Sequence, residues 1–404
     1  MTENPAFLTE QLITYIGNKR ALLPFIGQGV EIVRRELGRE KLTCLDIFSG
    51  SGIVSRYLKQ FSTFIAANDM EAYSVLINRC YLSNKDDLPA ARISQLHESL
   101  VRAVADRLDS LQGRRASGAA SSEPGFISRL YAPQDENNIQ KSDRCFYTTY
   151  NAAYLDFARQ LIDEIVPEEL RHFFIAPLLS EASIHANTAG IFKGFYKNSK
   201  TGVGQFGGNG KDALSRILGK IELKLPVFSN FACLSQVFNC NANELVTSEE
   251  LYAPLEGLAK CAATNASASY GPFYDLAYFD PPYNQHPYGS NYFMLNLVAN
   301  YKAPDEEAIS RVSGIPRNWN RSAYNKKRQV ADAFLDLVKN VRARYVLVSF
   351  NSEGFIPKDD MIALLSQVGS VQVLESKYNT FRGSRNLKDR EIHVKEYLFL
   401  VRKF

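Results

Sequence analysis

The chain has 404 residues, 45% hydrophobic and 22% charged, with a net charge of +4. That length allows one large or two ordinary domains, and the balance is that of a soluble globular protein rather than a disordered one. No run of eighteen apolar residues occurs, and Met1–Glu10 has no basic stretch followed by an apolar one, which argues against a membrane span and a secretory leader. The six cysteines include no Cys-x-x-Cys pair and the five histidines show no ligand spacing. Neither a disulfide framework nor a metal site is expected, which fits a reducing cytoplasm.

Near the start, Tyr15-Ile16-Gly17-Asn18-Lys19-Arg20 is a glycine-centred turn ahead of a helix carrying Leu22, Leu23 and Ile26. It can set an aromatic ring and a cation beside a charged ligand. Thr43–Phe48 reads as a short strand, followed by Ser49-Gly50-Ser51-Gly52 and a helix over Ile53–Gln60. Glycines at such a junction let backbone N–H groups approach a ligand. The pattern Asp46-x-Phe48-x-Gly50-x-Gly52 differs from the dinucleotide fingerprint, because its glycines come late and an aspartate stands on the strand. Thr63–Asn68 is the next strand. Asp69, just past its end, is placed either to accept hydrogen bonds from ribose hydroxyls or to cap the helix Ala72–Leu82.

Between residues 83 and 229 the alternation of strand and helix stops. Ile93, Leu96, Leu100, Val101, Val104, Leu108 and Leu111 form a helical stripe over Ala91–Gln112. Gly113–Gly125 is a small, polar loop, and Thr149–Val166 and Pro167–Asn187 read as two more helices. A glycine-, lysine- and aromatic-rich tract over Thr188–Lys211 follows, long enough to suggest a role in binding. Residues 83–229 are therefore expected to be a mainly helical insertion and a recognition element, set into a discontinuous domain of residues 1–82 and 230–404.

Sheet signals resume at Phe231–Phe238, and Tyr274–Phe279 reads as a strand buried on both faces. It runs into Asp280-Pro281-Pro282-Tyr283. Each proline fixes its own φ and removes an N–H donor, and the first restricts Asp280 as well. The resulting stiff turn presents a carboxylate, free carbonyls and an aromatic face, a set suited to holding a planar base by an exocyclic amino group. Tyr288–Tyr301 reads as one amphipathic helix, Tyr345–Asn351 as a strand, and Val371–Tyr378 with Glu396–Arg402 as a closing antiparallel hairpin.

The basic residues are clustered. Arg311–Arg328 holds six (Arg311, Arg317, Arg321, Lys326, Lys327, Arg328) and no acid; Lys193–Lys220 holds six against one acid, and Lys377–Lys395 six against two. Three such tracts, interleaved with Asn, Ser, Gly and aromatic residues, favour a polyanionic partner.

Together, Tyr15–Lys19, Asp46–Gly52, Asn68-Asp69 and Asp280–Tyr283, with weaker matches at Phe350–Gly354 and Glu396–Phe399, resemble the site-specific DNA adenine-N6 methyltransferases, the Dam-like and restriction–modification methylases of alpha-type motif order. The resemblance implies an α/β fold, a Rossmann-like seven-stranded methyltransferase sheet with an antiparallel C-terminal hairpin, and S-adenosylmethionine as cofactor. It implies cofactor-binding roles for Tyr15, Lys19, Asp46, Phe48, Gly50, Gly52 and Asp69, with Lys19 near the methionine carboxylate. Asn241 stands where relatives usually carry an aspartate near the cofactor's adenine. Asp280 and the carbonyl of Pro281 would accept the adenine amino hydrogens, with Tyr283 stacked on a flipped base. The partners implied are double-stranded DNA, contacted by Arg317, Arg321, Lys326, Lys327, Arg382 and Arg385, and a cognate restriction endonuclease; no metal or membrane is involved. Cytosine-N4 enzymes generally carry serine in place of Asp280, and protein-glutamine enzymes asparagine, so both are disfavoured. An RNA adenine substrate and an inactive nucleic-acid-binding relative are the alternatives.

Overall fold

The computed structural model describes residues 2–117, 124–210, 213–263, 272–283, 285–379 and 393–404. Seven strands, β1 (Leu42–Asp46), β2 (Ser62–Asn68), β3 (Leu234–Phe238), β4 (Tyr274–Phe279), β5 (Ala343–Asn351), β6 (Gly369–Asn379) and β7 (His393–Lys403), form one sheet in the order β3-β2-β1-β4-β5-β7-β6. The first five are parallel, whereas β7 runs antiparallel to β5 and β6 antiparallel to β7. The expected seven-stranded α/β fold with its closing hairpin is therefore present.

The central strands are buried throughout because helices cover both faces. Every residue of β1 and β4 is buried, which is why they read as continuous apolar runs rather than alternating ones. Leu276 and Tyr278 enter one core with the helices Leu23–Leu37 and Ile53–Lys59. Ala277 and Phe279 enter the other, with Val330–Asn340 and Lys358–Leu365. Strand order reverses between β1 and β4: the chain winds outward to β2 and β3 on one side and to β5 on the other. The crevice outside the carboxyl ends of strands at such a point is where open α/β sheets hold ligands.

A third core joins the helices of residues 83–229 to the sheet's own helices. Leu100, Val104, Leu108 and Leu111, from the helix Ala90–Ala116, share it with Tyr73 and Ile77 and with Met294, Leu295 and Val298. The stripe read from the sequence is thus a packing face except at Val101, which lies one residue off the buried positions and is 41% exposed.

Two expected helices differ. Tyr288–Tyr301 is two pieces, Tyr288–Asn291 and Phe293–Asn300, broken at Tyr292 (φ −124°, ψ 23°). Tyr292 leaves helical geometry while its ring stacks on Tyr15 and its hydroxyl accepts the Ile16 N–H at 2.8 Å. Pro167–Asn187 begins as a 3₁₀ turn, Glu168–Leu170, and becomes α-helical over His172–Ile184. No helix among the described residues is long and apolar enough to cross a membrane.

Candidate active site

The turn after β1 forms the floor of the crevice. Gly50 (φ 51°) and Gly52 (φ 74°) are in the left-handed region, which favours glycine. A Cβ on Gly50 would lie 2.8 Å from the Tyr15 hydroxyl, so the position also needs glycine for space. Gly50 N–H donates to Asp69 Oδ2 at 2.8 Å, and Glu71 N–H donates to Asp69 Oδ1 at 2.9 Å. Asp69 therefore ties the first strand's turn to the second's, and Glu71, not Asp69, is the N-cap residue of the helix Ala72–Leu82. Asn68, the last residue of β2, brings in a third strand end, donating to the carbonyls of Ile47 after β1 (3.1 Å) and Cys240 after β3 (3.2 Å). Asp46 accepts from the Ser55 hydroxyl at 2.6 Å through Oδ2, while its buried Oδ1 has no hydrogen-bond partner.

One wall is aromatic. Tyr15 stacks on Tyr288 and Tyr292 at centroid distances of 5.0 and 4.9 Å. Tyr288 donates to the Ile16 carbonyl at 3.1 Å, fixing the Tyr15–Lys19 turn against the helical side. Gly17 (φ 73°) allows that turn to reverse beside the Tyr283 hydroxyl. Phe48 lies edge-on to Phe279 and Tyr324.

The far wall is the loop after β4. Lys19, only 2% exposed, places its ammonium 3.2 Å from Asp280 Oδ1 and 5.5 Å from the Tyr283 ring centroid. Tyr283 packs edge-on against Phe350, and its carbonyl accepts the Phe355 N–H at 3.1 Å, so the aromatic residue is braced from β5. Pro281 is buried and Pro282 lines the crevice.

Burial dominates the electrostatics. It pushes Asp46 up to about 7, with Ser55 pulling the other way, Asp69 up to about 6, and Glu71 up to about 7. Burial also raises Asp280, against the pull of Lys19. For Lys19, burial works against the charge, but Asp280, Tyr283 and Glu396 together outweigh it and hold the pKa well above the usual lysine range. Carboxyls that are costly to ionise thus surround one firmly protonated amine.

Tyr15, Lys19, Asp46, Phe48, Gly50, Asp69 and Asp280 all line one crevice of about 830 Å³, its open mouth included. Gly52 stands just behind as the cap of the helix Ile53–Lys59. Asn241 is not part of that wall: it is exposed and caps a short helix, accepting the Asn243 N–H at 3.0 Å, while its neighbours Cys240 and Ala242 line the crevice. Lys19, expected beside the cofactor's carboxylate, pairs here with Asp280. Arg321 reaches the crevice and stacks on Trp319 at 4.3 Å, whereas Arg317, Lys326 and Lys327 are exposed on the adjoining loop. Arg382 and Arg385 lie outside the described residues. Sequence reasoning missed Glu71, Tyr288, Asn320 and buried Glu396. The i, i+4 spacing of Tyr288 and Tyr292 was a usable signal for the aromatic wall.

A parallel sheet of this order, with a glycine turn after β1 and Asp-Pro-Pro-Tyr after β4 at one crevice, defines a methyltransferase fold. The chain belongs to the D12 class N6 adenine-specific DNA methyltransferases, whose family model matches residues 15–164 and 260–363. It is similar to the Type II methyltransferase M.CviAII of Paramecium bursaria Chlorella virus 1, with 28% identity covering 96% of this chain and 98% of that protein. It is also similar to the Type II methyltransferase M.NlaIII of Neisseria lactamica, at 27% identity covering 97% and 99%. The Type II methyltransferase M.FokI of Planomicrobium okeanokoites is 24% identical over 96% of this chain, which spans 52% of that longer protein. The chain is an N6 adenine-specific DNA methyltransferase.

Proposed function

We propose that the crevice binds S-adenosylmethionine and that Asp280 receives the amino group of an adenine flipped out of duplex DNA. The observation that carries this reading is the meeting of Asp280 with the Asp46–Gly52 turn in one crevice. The residues suit the cofactor: the unpartnered Oδ1 of Asp46 needs a donor, Gly50 lines the crevice with no side chain to fill it, and the tyrosine wall offers an apolar face. Tyr15, Asp46, Phe48, Gly50, Gly52 and Asp69 are its proposed contacts, and Glu71 extends the acidic side. When bound, the cofactor supplies an electrophilic methyl group.

The adenine amino nitrogen is a poor nucleophile because its lone pair is delocalised into the ring. Asp280 and the Pro281 carbonyl accept its two hydrogens and draw the nitrogen toward tetrahedral geometry. Positioning and preorganised charge supply most of the rate. Burial makes Asp280 a stronger proton acceptor, and Lys19 compensates its charge in the meantime. Tyr283 stacks on the base. Extracting the base costs a few kcal/mol, offset by phosphate contacts from Arg317, Arg321, Lys326, Lys327 and, beyond the described residues, Arg382 and Arg385. Residues 83–229 are the proposed DNA-recognition element, and a cognate restriction endonuclease the proposed partner. Expression in methylation-free bacteria, with modified bases mapped across the genome, tests the reading: N6-methyladenine at one short sequence supports it, and an unmodified genome overturns it.

A further inference from the structure

Outside the crevice, one side chain is exposed in a way that its surroundings do not explain. Val312 is 77% exposed; among the described residues, only the C-terminal Phe404 exposes a larger fraction of a large hydrophobic side chain. It stands at the apex of a turn within a basic stretch that has no acid from Arg311 to Arg328. A merely solvated apex would suit any polar residue.

The turn is built to hold that apex still. Ser310 N–H donates to the Ile315 carbonyl at 3.0 Å and Gly314 N–H to the Ser310 carbonyl at 2.9 Å. Ile309 and Pro316 form an antiparallel bridge, with Ile309 buried in the helical core. Gly314 (φ 76°) seats the turn so closely that a Cβ there would lie 3.0 Å from the Phe146 ring and 3.1 Å from the Arg144 stem. A second turn braces the tip: Lys197 Nζ donates to the Val312 carbonyl at 2.9 Å, and that turn is closed by Asn198 and Val203. Exposed Arg311 and Lys197 flank the apolar tip, and exposed Lys200 lies on the bracing turn.

Position completes the argument. The same loop carries Asn320, Arg321 and Ser322 to the crevice wall. The eight residues from Val312 to Asn320 reach at most about 28 Å, so apex and crevice lie within one duplex footprint. From the other side, Lys193 meets His286 of the loop after Asp280 at 2.9 Å. A rigid apolar tip with cations at its base matches a duplex, with the phosphates meeting the cations and the base stack receiving the apolar side chain.

We propose that Val312 is a wedge that enters the base stack beside the target adenine and occupies the space left when that base swings into the crevice. The proposal rests on the base-flipping reading above. It is tested with synthetic duplexes carrying the mapped site, one fully paired and one with the target adenine opposite an abasic position, and with 2-aminopurine at the target as a flipping probe. Val312→Gly is expected to lower turnover and the fluorescence rise about tenfold on paired DNA, and to recover on the abasic duplex, where no partner holds the base. Val312→Leu, which keeps an apolar tip, stays near wild type. Wild-type turnover by Val312→Gly on paired DNA overturns the wedge, as does an equal loss on both duplexes. A wild-type protein that methylates neither duplex overturns the activity reading, and the wedge with it.

Discussion

Strand β4 carries an aspartate at each end, and the two live in different chemical worlds. Asp275, near the amino end, is 1% exposed and fully engaged: Arg39 lies 2.6 Å away, Arg344 3.8 Å, and Thr43 donates both its N–H (3.0 Å) and its hydroxyl (3.2 Å). Asp280, just past the carboxyl end, has a single cation beside it, Lys19, 3.2 Å from Oδ1. A buried carboxylate whose every acceptor site is filled locks β1 to β4. One left partly unsatisfied has acceptor capacity in reserve for a ligand, and burial raises its pKa. The two acids of β4 therefore differ in how fully the fold has engaged them.

The sharpest way to break that contrast is to remove each acid in turn. Asp275→Ala takes the carboxylate away from a buried Thr43 N–H and from Arg39 and Arg344, and is expected to cost about 3–5 kcal/mol in urea unfolding while turnover per folded molecule holds. A variant that unfolds like wild type would erase the distinction from the structural side. Asp280→Ala should do the converse, with turnover falling by roughly 10² or more and cofactor binding retained in calorimetry. Near-normal methylation by it would remove Asp280 from the mechanism.

Asp46, at the carboxyl end of β1, extends the contrast to pH. Its folded pKa of about 7 lies above the ordinary value of 3.8, so the folded state holds the proton more tightly. The stability it contributes is fully present below about pH 4 and is lost as pH rises through 7. The stability of wild type relative to Asp46→Asn should therefore fall across that window, by on the order of 4 kcal/mol, and stay level above pH 8. A flat difference in thermal melts would show that the acid is not strained by burial. Gly50→Ala, with a left-handed backbone and Tyr15 in contact, is expected to weaken cofactor affinity by about 1–2 kcal/mol in titration calorimetry. Unchanged affinity would separate that turn from binding. The smallest effect belongs to the rim: Lys327→Ala should reduce the salt slope of DNA binding by about one unit with no change in turnover at saturation.

Much of this architecture is legible in the sequence. The buried run over Tyr274–Phe279, the glycine turn after Asp46 and the Asp280–Tyr283 loop are local patterns, and each appears where its residues placed it. What failed was non-local. One helix over Tyr288–Tyr301 was the correct local reading, but contacts from Tyr15 and Ile16, more than 270 residues away in the chain, break it at Tyr292. Asn241 was assigned by its place after β3; its neighbours Cys240 and Ala242 do line the crevice, while its own side chain caps the short helix that follows.

The sequence by itself determined the strand set, the motif order and the chemical type of the acceptor, because strand burial, glycine turns and a Pro-Pro loop are dictated by neighbours a few residues apart. Only the tertiary structure decided which acids are satisfied and which are held in reserve. Asp275 and Asp280 are five positions apart and chemically identical; what separates them is that Arg39 and Thr43 converge on one, while a single buried lysine meets the other. Partnership of that kind depends on which distant side chains the fold brings together, and local sequence does not specify it.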